Sequence, residues 1–395
     1  MMIQAVLSNP NNPEYGVATI PFPIPHDQYA HCMELLAALE IGDAVKADCK
    51  VEKIDSFYTV LKRAEMLTVN VEELNYLAKR LESFDTGEAA QFQAMAHKLE
   101  LFELKDLINL TFCCQQATVI TDFSDLAAIG RDHYMNLHGG SASVDELNKL
   151  DGEETARRLI ENGGGTITPY GVVYDNGMKL EQVYDGRFFP CYYYEPNAIT
   201  VAVTAKSEPE NTEHITWLFL PMERDEIDRA LLRGGITDPA DVRLRLEDSQ
   251  LPNEVDVLLD MECETLSDLN ELAAATDGLS KADMEKLGAV VILAEPKSAA
   301  QIKNLVESLD LFDFAPGTHT PEEYGKYMIR QSGHFDYDEN LDAFYDYEKY
   351  GTERMNAEDG MFTDRGYIAY KGYISMEEVM NGGQSSHMVL GGLSR

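Results

Sequence analysis

The chain has 395 residues, of which 44% are hydrophobic, and it carries 69 acidic against 32 basic side chains, a formal net charge of −37. The apolar share excludes a disordered acidic polymer, and the length predicts roughly two to four compact domains. Residues 1–200 contain 30 acids and 15 bases, which leaves 39 and 17 for the remainder, so the charge belongs to the whole folded body. Such a body repels nucleic acid and anionic membranes and attracts basic surfaces.

The sequence predicts the same order of secondary-structure elements twice, at an offset of about 195 residues. Each copy begins with two strands, a helix and a third strand. In the first copy these are Ile3–Ser8, Ala18–Pro25, Asp27–Leu39 and Val45–Val51. In the second copy they are Ile199–Thr204, Ile215–Pro221, Glu223–Leu232 and Val242–Leu246. Matched residues near the ends of the copies are Gly130 with Gly325, Thr168 with Thr363 and Gly171 with Gly366.

The middle of each copy is predicted to be helical. Asn70 can cap a helix over Val71–Leu81, and Ser267 can cap the matching helix Asp268–Ala275. Two Ser residues are spaced for a capping box with an acid three residues later, namely Ser143 with Glu146 and Ser280 with Asp283. The tight-turn sequences Asp175-Asn176-Gly177 and Asp185-Gly186 predict hairpins between strands.

These patterns predict an α+β fold built from two tandem copies of a small acidic unit with three subdomains. The first unit is expected to cover residues 1–195, with subdomains at about 1–65, 66–138 and 139–195. The second is expected to cover residues 196–375, with subdomains at about 196–262, 263–330 and 331–375. We expect the glycine-rich residues 376–395 to form a loose tail.

Several groups of acidic residues recur at helical spacing, and we predict that they form a partner-binding surface. Two groups are expected on single helix faces, Asp122 with Asp125 and Asp132, and Glu339 with Asp342 and Asp346. A third group crowds a helix start, where the helix dipole favours it: Glu223, Asp225, Glu226 and Asp228. Further candidates are Asp268, Glu271 and Glu348. An ordinary solvated helix face has the same pattern, but eleven acids against two lysines in residues 254–295 favour a use for the charge.

The sequence carries no cofactor motif, and we predict no cofactor, no metal and no enzymatic activity. Gly163-Gly164-Gly165 lacks the following Lys-Ser or Lys-Thr of a phosphate-binding loop, and the histidines lack the spacing of a helical metal pair. A cysteine hydrolase that uses Cys113 or Cys114 with His133 is a remote alternative. Without a signal peptide or a long apolar run, the chain is expected to be cytoplasmic with reduced thiols.

The two units resemble the ArdA-type antirestriction proteins, a family of small acidic proteins carried by conjugative elements. The resemblance lies in the strand Ile199–Thr204, the Trp-containing strand Thr216–Pro221 and the acidic helix Glu223–Leu232. Asp125–Arg131 and Phe335–Gly351 resemble later segments of the family. The first unit departs from the family because Phe22 stands near the place of the tryptophan, and the chain is double the usual family length.

The resemblance implies an elongated, curved body whose carboxylates imitate the phosphates of bent DNA. It also implies a target, a type I restriction-modification enzyme bound competitively at its methyltransferase–specificity core. The charge of −37 equals that of about 18 base pairs. We expect no direct binding to nucleic acid or membrane, and either a monomer with internal pseudo-symmetry or a homodimer. The alternative is a general acidic module that inhibits another DNA-binding protein, such as a CRISPR effector or a nucleoid protein.

Overall fold

The computed structural model describes residues 3–333 and 336–383 of the chain. The predicted α+β class is confirmed, because helices alternate with small antiparallel sheets. By its internal contacts the chain forms two units. The first contains the chain up to Glu195 together with Glu213–Thr216 and Glu223–Thr237, and the second contains Pro196–Thr212, Trp217–Met222 and the chain from Asp238 onward.

The first unit combines two sheets with a layer of helices. Its strands are β1 (Ile3–Ser8), β2 (Val17–Phe22), β3 (Cys49–Asp55), β4 (Thr68–Val69), β5 (Thr118–Ile120), β6 (Thr166–Thr168) and β7 (Gly171–Tyr174). Its helices are α1 (Tyr29–Ala38), α2 (Val71–Glu82), α3 (Thr86–Lys98), α4 (Leu104–Leu110), α5 (Leu126–Leu137), α6 (Val144–Lys149), α7 (Gly152–Glu161) and α8 (Arg224–Gly234). The sheets have the strand orders β2-β1-β3-β4 and β5-β7-β6.

The core of the first unit forms where alternating and helical apolar patterns meet. Ile3, Ala5 and Leu7 of β1 are buried because alternate side chains of a strand point to the same face. α2 begins where Asn70 accepts a hydrogen bond from Glu73 N at 3.1 Å, which confirms the predicted cap. The strand and the helix contribute to one continuous apolar cluster.

The second unit has a similar set of elements. Its strands are β8 (Ile199–Ala205), β9 (Thr216–Leu220), β10 (Val242–Ser249), β11 (Phe312–Pro316), β12 (Asp359–Thr363) and β13 (Gly366–Tyr370). Its helices are α9 (Asn253–Leu258), α10 (Leu266–Thr276), α11 (Lys281–Ala294), α12 (Ala299–Val306), α13 (Pro321–Arg330), α14 (Tyr347–Ala357) and α15 (Met376–Met380). The sheets have the strand orders β10-β8-β9 and β11-β13-β12. We call residues 118–174 and 312–370 the third subdomains of the two units. They begin earlier than the expected 139–195 and 331–375, because β5 and β11 pair with β7 and β13.

An asparagine makes the same kind of hydrogen bond in both units. Asn75 on α2 accepts a hydrogen bond from Ile24 N at 2.8 Å, and Asn270 on α10 accepts one from Met222 N at 2.8 Å. The two asparagines are 270 − 75 = 195 residues apart. In each case the side chain satisfies a backbone N–H just after the second strand of its unit.

The hairpin turns of the third subdomains are also built alike. Thr168 Oγ1 donates to Gly171 O at 2.8 Å between β6 and β7, and Thr363 Oγ1 donates to Gly366 O at 2.9 Å between β12 and β13. Gly171 and Gly366 have φ values of +125° and +143°. Because L side chains rarely adopt such values, the turn requires glycine at this position in each unit.

Each third subdomain contains a helix crossing that only glycine permits. A Cβ on Gly130 of α5 would lie 1.9 Å from Gly152 O at the start of α7. A Cβ on Gly325 of α13 would lie 2.0 Å from Tyr347 O at the start of α14. Both distances are far shorter than a van der Waals contact, so the backbones can approach only where no side chain intervenes.

Some boundaries differ from the sequence-based expectations. Thr265, not Ser267, caps α10 by accepting a hydrogen bond from Asp268 N at 3.1 Å, so the helix begins two residues earlier than predicted. Asn176 and Gly177 form a turn with positive φ as expected, but residues 175–198 contain no strand to complete a hairpin. This segment packs through aromatic rings instead, as in the stacking of Phe189 on Tyr76.

The structure also differs from the expectations for the C-terminal tail and for the unit to which α8 belongs. The start of the predicted loose tail is helical, because Ser375 and Glu378 form a capping box for α15. Asn304 on α12 donates to Met380 O at 2.8 Å and holds that helix in place. Residues 384–395, including Gly391-Gly392, lie outside the described residues, as does Phe335. The helix α8, expected in the second unit, belongs to the first by its contacts.

Candidate partner-binding carboxylates

Exposed carboxylates at three helix starts are held in place by the helix that each precedes. Asp125 caps α5, Asp151 caps α7 and Asp346 caps α14 by accepting hydrogen bonds of 2.8, 3.0 and 3.1 Å from the backbone N–H three residues on. These bonds fix the negative charges while the side chains stay exposed. Asp151 was missed by the sequence analysis, although an aspartate followed by Glu153 and Glu154 is typical of a helix start.

A second group of exposed carboxylates is held by hydroxyl and backbone N–H groups. The group consists of Asp122, Glu146, Glu323 and Glu378, which accept hydrogen bonds from Ser124, Ser143, His319 and Ser375 respectively. These bonds lower the pKa of all four carboxyls, because they stabilise the charged form. All four are therefore ionised at neutral pH.

The predicted helical face of Asp122, Asp125 and Asp132 is wrong. α5 begins only at Leu126, so Asp132 is the one member of the three inside the helix. Asp122 lies in a turn, where its Oδ1 accepts a hydrogen bond from Ser124 N at 2.9 Å. Short acidic side chains compete for backbone N–H groups, which stops the helix from extending towards the N-terminus.

The predicted acidic stripe of Glu339, Asp342 and Asp346 is wrong as well, because these residues do not belong to one continuous helix. Glu339 and Asp342 lie in a 3-10 helix, Glu339–Phe344, whereas Asp346 precedes α14 as its cap. The three carboxylates therefore do not share one α-helical face. Glu348, in the first turn of α14, is exposed.

Asp342 is bound within its own subdomain. Tyr337 Oη donates to it at 2.7 Å, Arg330 Nε donates at 3.1 Å, and Tyr347 Oη also donates. The hydrogen bonds from Tyr347, Tyr337 and the Arg330 guanidinium together hold the pKa of Asp342 at about 2. Since Arg330 neutralises it, this carboxylate adds little net charge to the surface.

Three of the four predicted acids at the start of α8 are exposed to solvent, and the fourth is mostly buried. Glu223, Asp225 and Asp228 are exposed, as a solvent-facing acidic group requires. Glu226 is 20% exposed and lies 3.8 Å from Lys79 Nζ. Burial raises the pKa of Glu226, so it belongs to the packing of the first unit more than to its surface.

Helix α8 is anchored in the first unit by a buried arginine that the sequence analysis did not identify. Arg233 is 4% exposed, and its guanidinium donates to Ala44 O at 2.9 Å and to Asn70 Oδ1 at 3.0 Å. The same group stacks on the Phe189 ring, 4.4 Å from its centroid. Its partners are distant in sequence, so no local pattern could have revealed the role.

The remaining predicted acids are partly engaged on their own helices. Asp268 Oδ2 accepts a hydrogen bond from Thr265 Oγ1 at 2.7 Å, which ties it to the cap of α10. Glu271 is exposed and lies 3.9 Å from Lys303 Nζ. Such exposed pairs contribute little to stability, so the charge of Glu271 remains accessible to a partner.

The geometry around the paired cysteines does not suit a nucleophile. Cys113 and Cys114 are buried, and burial raises the pKa of both thiols, which disfavours the reactive thiolate. His133 Nδ1 lies 2.9 Å from Thr118 Oγ1, its hydrogen-bond partner. The thiol and imidazole groups are therefore engaged separately, and the structure gives the hydrolase alternative no support.

Within residues 3–333 and 336–383, no group of three or more His, Cys, Asp or Glu side chains is placed to hold a metal ion. In the same part of the chain, no helix has both the length and the apolar character that a membrane span needs.

Comparison with known proteins finds one family whose model matches a segment in the C-terminal part of the chain. Residues 212–369 match the family described as antirestriction protein (ArdA). No curated protein sequence matches the chain. The matched region begins before β9 and ends in β13, so it contains the tryptophan strand, α8 and almost all of the third subdomain. Residues 212–369, in the C-terminal part of the chain, are therefore similar to the ArdA family of antirestriction proteins.

Proposed function

We propose that the chain is a DNA mimic that inhibits a restriction-modification enzyme by occupying its DNA-binding groove. The proposed target is a type I enzyme, bound at its methyltransferase–specificity core, and the inhibitor catalyses no reaction. The proposed compartment is the cytoplasm, which fits six cysteines with no disulfide among them. The observation that carries the proposal is the set of exposed carboxylates fixed at helix starts, in a chain whose C-terminal part is antirestriction-like.

Fixed carboxylates suit this role because DNA itself presents anions at fixed positions. Roughly half to two-thirds of the hydrogen bonds between proteins and DNA go to phosphate and sugar, so an enzyme's groove is lined with groups that accept any well-placed anion. Carboxylates already held by a helix lose little conformational freedom on binding. A net charge of −37 adds long-range attraction to such a groove.

We infer that both units take part, as tandem copies of one ancestral unit. The family match covers residues 212–369, of which Glu213–Thr216 and Glu223–Thr237 lie in the first unit. The support for the rest of the first unit comes from its construction. Asn75 and Asn270 make equivalent hydrogen bonds in their own units. Gly130 and Gly325 lie at equivalent helix crossings. A covalently joined pair of units could act as a monomer in place of a homodimer.

The test replaces the three capping aspartates together, Asp125→Asn, Asp151→Asn and Asp346→Asn. Asparagine caps a helix as well as aspartate does, so the triple variant loses charge but keeps its helices. We expect its inhibition of DNA cleavage by a purified type I enzyme to be about fivefold to 13-fold weaker, from roughly 0.3–0.5 kcal/mol per charge. Circular dichroism should show unchanged helix content.

A matched control removes the same number of charges from acids that make no side-chain cap bond. Glu103 stands at a helix start without such a bond, Glu161 is exposed at the end of α7, and Glu14 is exposed in a 3-10 helix. We expect the variant with all three changed to Gln to lose less than about twofold in potency. Equal losses in both triples would show that only total charge matters, and unchanged potency of the Asn triple would remove these aspartates from the interface. Equal inhibition of an unrelated DNA-binding protein would favour the general acidic module.

A further inference from the structure

The turn of the β12–β13 hairpin carries an arginine that reaches an acid on another element of the second unit. Arg365 Nε donates to Glu254 Oε1 at 2.9 Å, and Arg365 Nη2 donates to Glu254 Oε2 at 2.8 Å. This two-bond geometry is the strongest form of an arginine–carboxylate pair. The side chains are 27% and 25% exposed, so water competes with the pair only in part. We call the pair the clasp.

The clasp passes over a glycine on α11. A Cβ on Gly288 would lie 2.3 Å from Arg365 Nε and 2.8 Å from its Cζ. The guanidinium therefore rests directly on the helix backbone, in space that any side chain would fill. Glycine costs a helix interior about 1 kcal/mol relative to alanine, so its presence in α11 indicates that this close approach is used.

The first unit has a connection at the same two positions, with different chemistry. Tyr170 stands at 365 − 195 = 170 and Thr59 at 254 − 195 = 59. The Tyr170 Oη and Thr59 Oγ1 atoms are 2.9 Å apart in a hydrogen bond. In both units, a side chain from the hairpin turn of the third subdomain thus contacts a residue 111 positions earlier in the chain. The contact is a hydrogen bond between neutral groups in the first unit and an ion pair in the second.

The hairpin that bears Arg365 is packed against the helices that carry fixed acids. Tyr324 and Met328 of α13 share an apolar cluster with Tyr367 and Ala369 of β13. The centroids of the Tyr324 and Tyr367 rings are 4.2 Å apart. α13, α14 and the hairpin therefore move as one body, and a bond at the hairpin turn positions the carboxylates on those helices.

We propose that Arg365 is a positioning residue for inhibition, which fixes the acid-bearing helices α13 and α14 relative to α9 through the clasp. The inference rests on the proposed function, because a DNA mimic depends on the spacing of its anions. Arg365 and Glu254 need not touch the partner. Their bond sets the distance between α9 and the carboxylates on α13 and α14, and its loss widens the range of distances that the free chain samples.

The test measures that range and the inhibition in parallel. Spin labels are attached to Val257→Cys on α9 and Asn356→Cys on α14, in a full-length chain whose exposed Cys191 and Cys263 are replaced by serine. Double electron–electron resonance gives the distribution of distances between the labels. Potency is measured as inhibition of DNA cleavage by a purified type I enzyme.

Two single variants change the net charge in opposite directions. Arg365→Gln makes the chain more negative and Glu254→Gln makes it less negative. We expect both to broaden the distance distribution and to lower potency by about fivefold, because each breaks the clasp. If charge alone mattered, Arg365→Gln would inhibit as well as the parent chain or better, with an unchanged distribution; that result would overturn the proposal.

Two further variants separate the clasp from helix stability and from charge. Gly288→Ala favours the helix but displaces the guanidinium, so it should broaden the distribution as the single variants do. The exchanged pair Glu254→Arg with Arg365→Glu keeps the net charge and should restore at least part of both readouts. Breaking the exposed pair Lys371–Asp313 by Lys371→Gln is the control, and it should leave the distribution unchanged.

The two readouts distinguish failure of the clasp from failure of the proposed function. Broader distances with full potency would overturn the positioning role of Arg365 while leaving mimicry intact. A parent chain that does not inhibit any type I enzyme would overturn the proposed function, and the distance measurement would still report whether the clasp orders the unit.

Discussion

The third subdomains of the two units have the same backbone plan but different side-chain bonds. In both, a threonine closes the hairpin turn and a glycine, Gly130 or Gly325, allows two helices to cross. In the second, Arg330 binds Asp342. At the corresponding positions of the first, 330 − 195 = 135 and 342 − 195 = 147, the residues are methionine and leucine. The two subdomains share backbone constraints where only one residue type fits, whereas their side-chain contacts are polar in the second and apolar in the first.

The largest expected effect tests the helix crossings at Gly130 and Gly325, which the two units share. Gly130→Ala and Gly325→Ala should each destabilise its own helix pair by about 3 kcal/mol, because the added Cβ meets a backbone oxygen that cannot move aside. Hydrogen exchange during urea titration measures the loss separately for α5 with α7 and for α13 with α14. Gly87→Ala is the control, since its nearest neighbour is a side-chain oxygen at 3.2 Å. A large loss in one unit alone would break the structural equivalence of the two crossings.

A smaller expected effect tests the Arg330–Asp342 ion pair, which the second unit has and the first lacks. The pKa of Asp342 is about 2 in the folded chain, below its unfolded value of about 3.9. Its stabilising contribution is therefore complete above about pH 4 and is lost as the pH falls towards about 2. Because the first unit has leucine at that position, α13 and α14 should lose protection from hydrogen exchange in this window more than α5 and α7 do.

The variant Asp342→Asn sharpens the same comparison. It should reduce protection of α13 and α14 already at neutral pH and should flatten their pH dependence below pH 4, once intrinsic exchange rates are taken into account. Glu348→Gln removes a nearby exposed charge and serves as the control. If the parent chain and the Asn variant show the same pH dependence, Asp342 does not hold the second unit together in the way its contacts indicate.

Much of the secondary structure could be predicted, because it depends on local patterns. The strand Ile3–Ser8 was predicted with its observed bounds, and the caps at Asn70, Ser143 and Ser280 were identified from residue type and spacing. The α+β class follows from the same patterns. Boundaries were missed by a few residues where two candidate caps, such as Thr265 and Ser267, stand close together.

The candidate site was predicted less well, because one residue type serves opposite roles. An aspartate at helical spacing can extend an acidic face or can end the helix as its cap, and periodicity alone does not distinguish the two. Asp125 and Asp346 proved to be caps, and Asp342 proved to be bound to Arg330. The ion pair and the clasp join residues from different elements, so only the folded chain brings them together. The partner-binding role of the acids stays a prediction.

Competition between the chain and DNA for one binding site is the most direct measurement. Fluorescent DNA is bound to a purified type I methyltransferase–specificity core, and the chain is titrated in at low and at moderate salt. We expect full displacement of the DNA, with an inhibition constant that rises steeply with salt because ion pairs supply most of the affinity. A stable complex that contains enzyme, DNA and chain together, or an inhibition constant that does not change with salt, would contradict DNA mimicry.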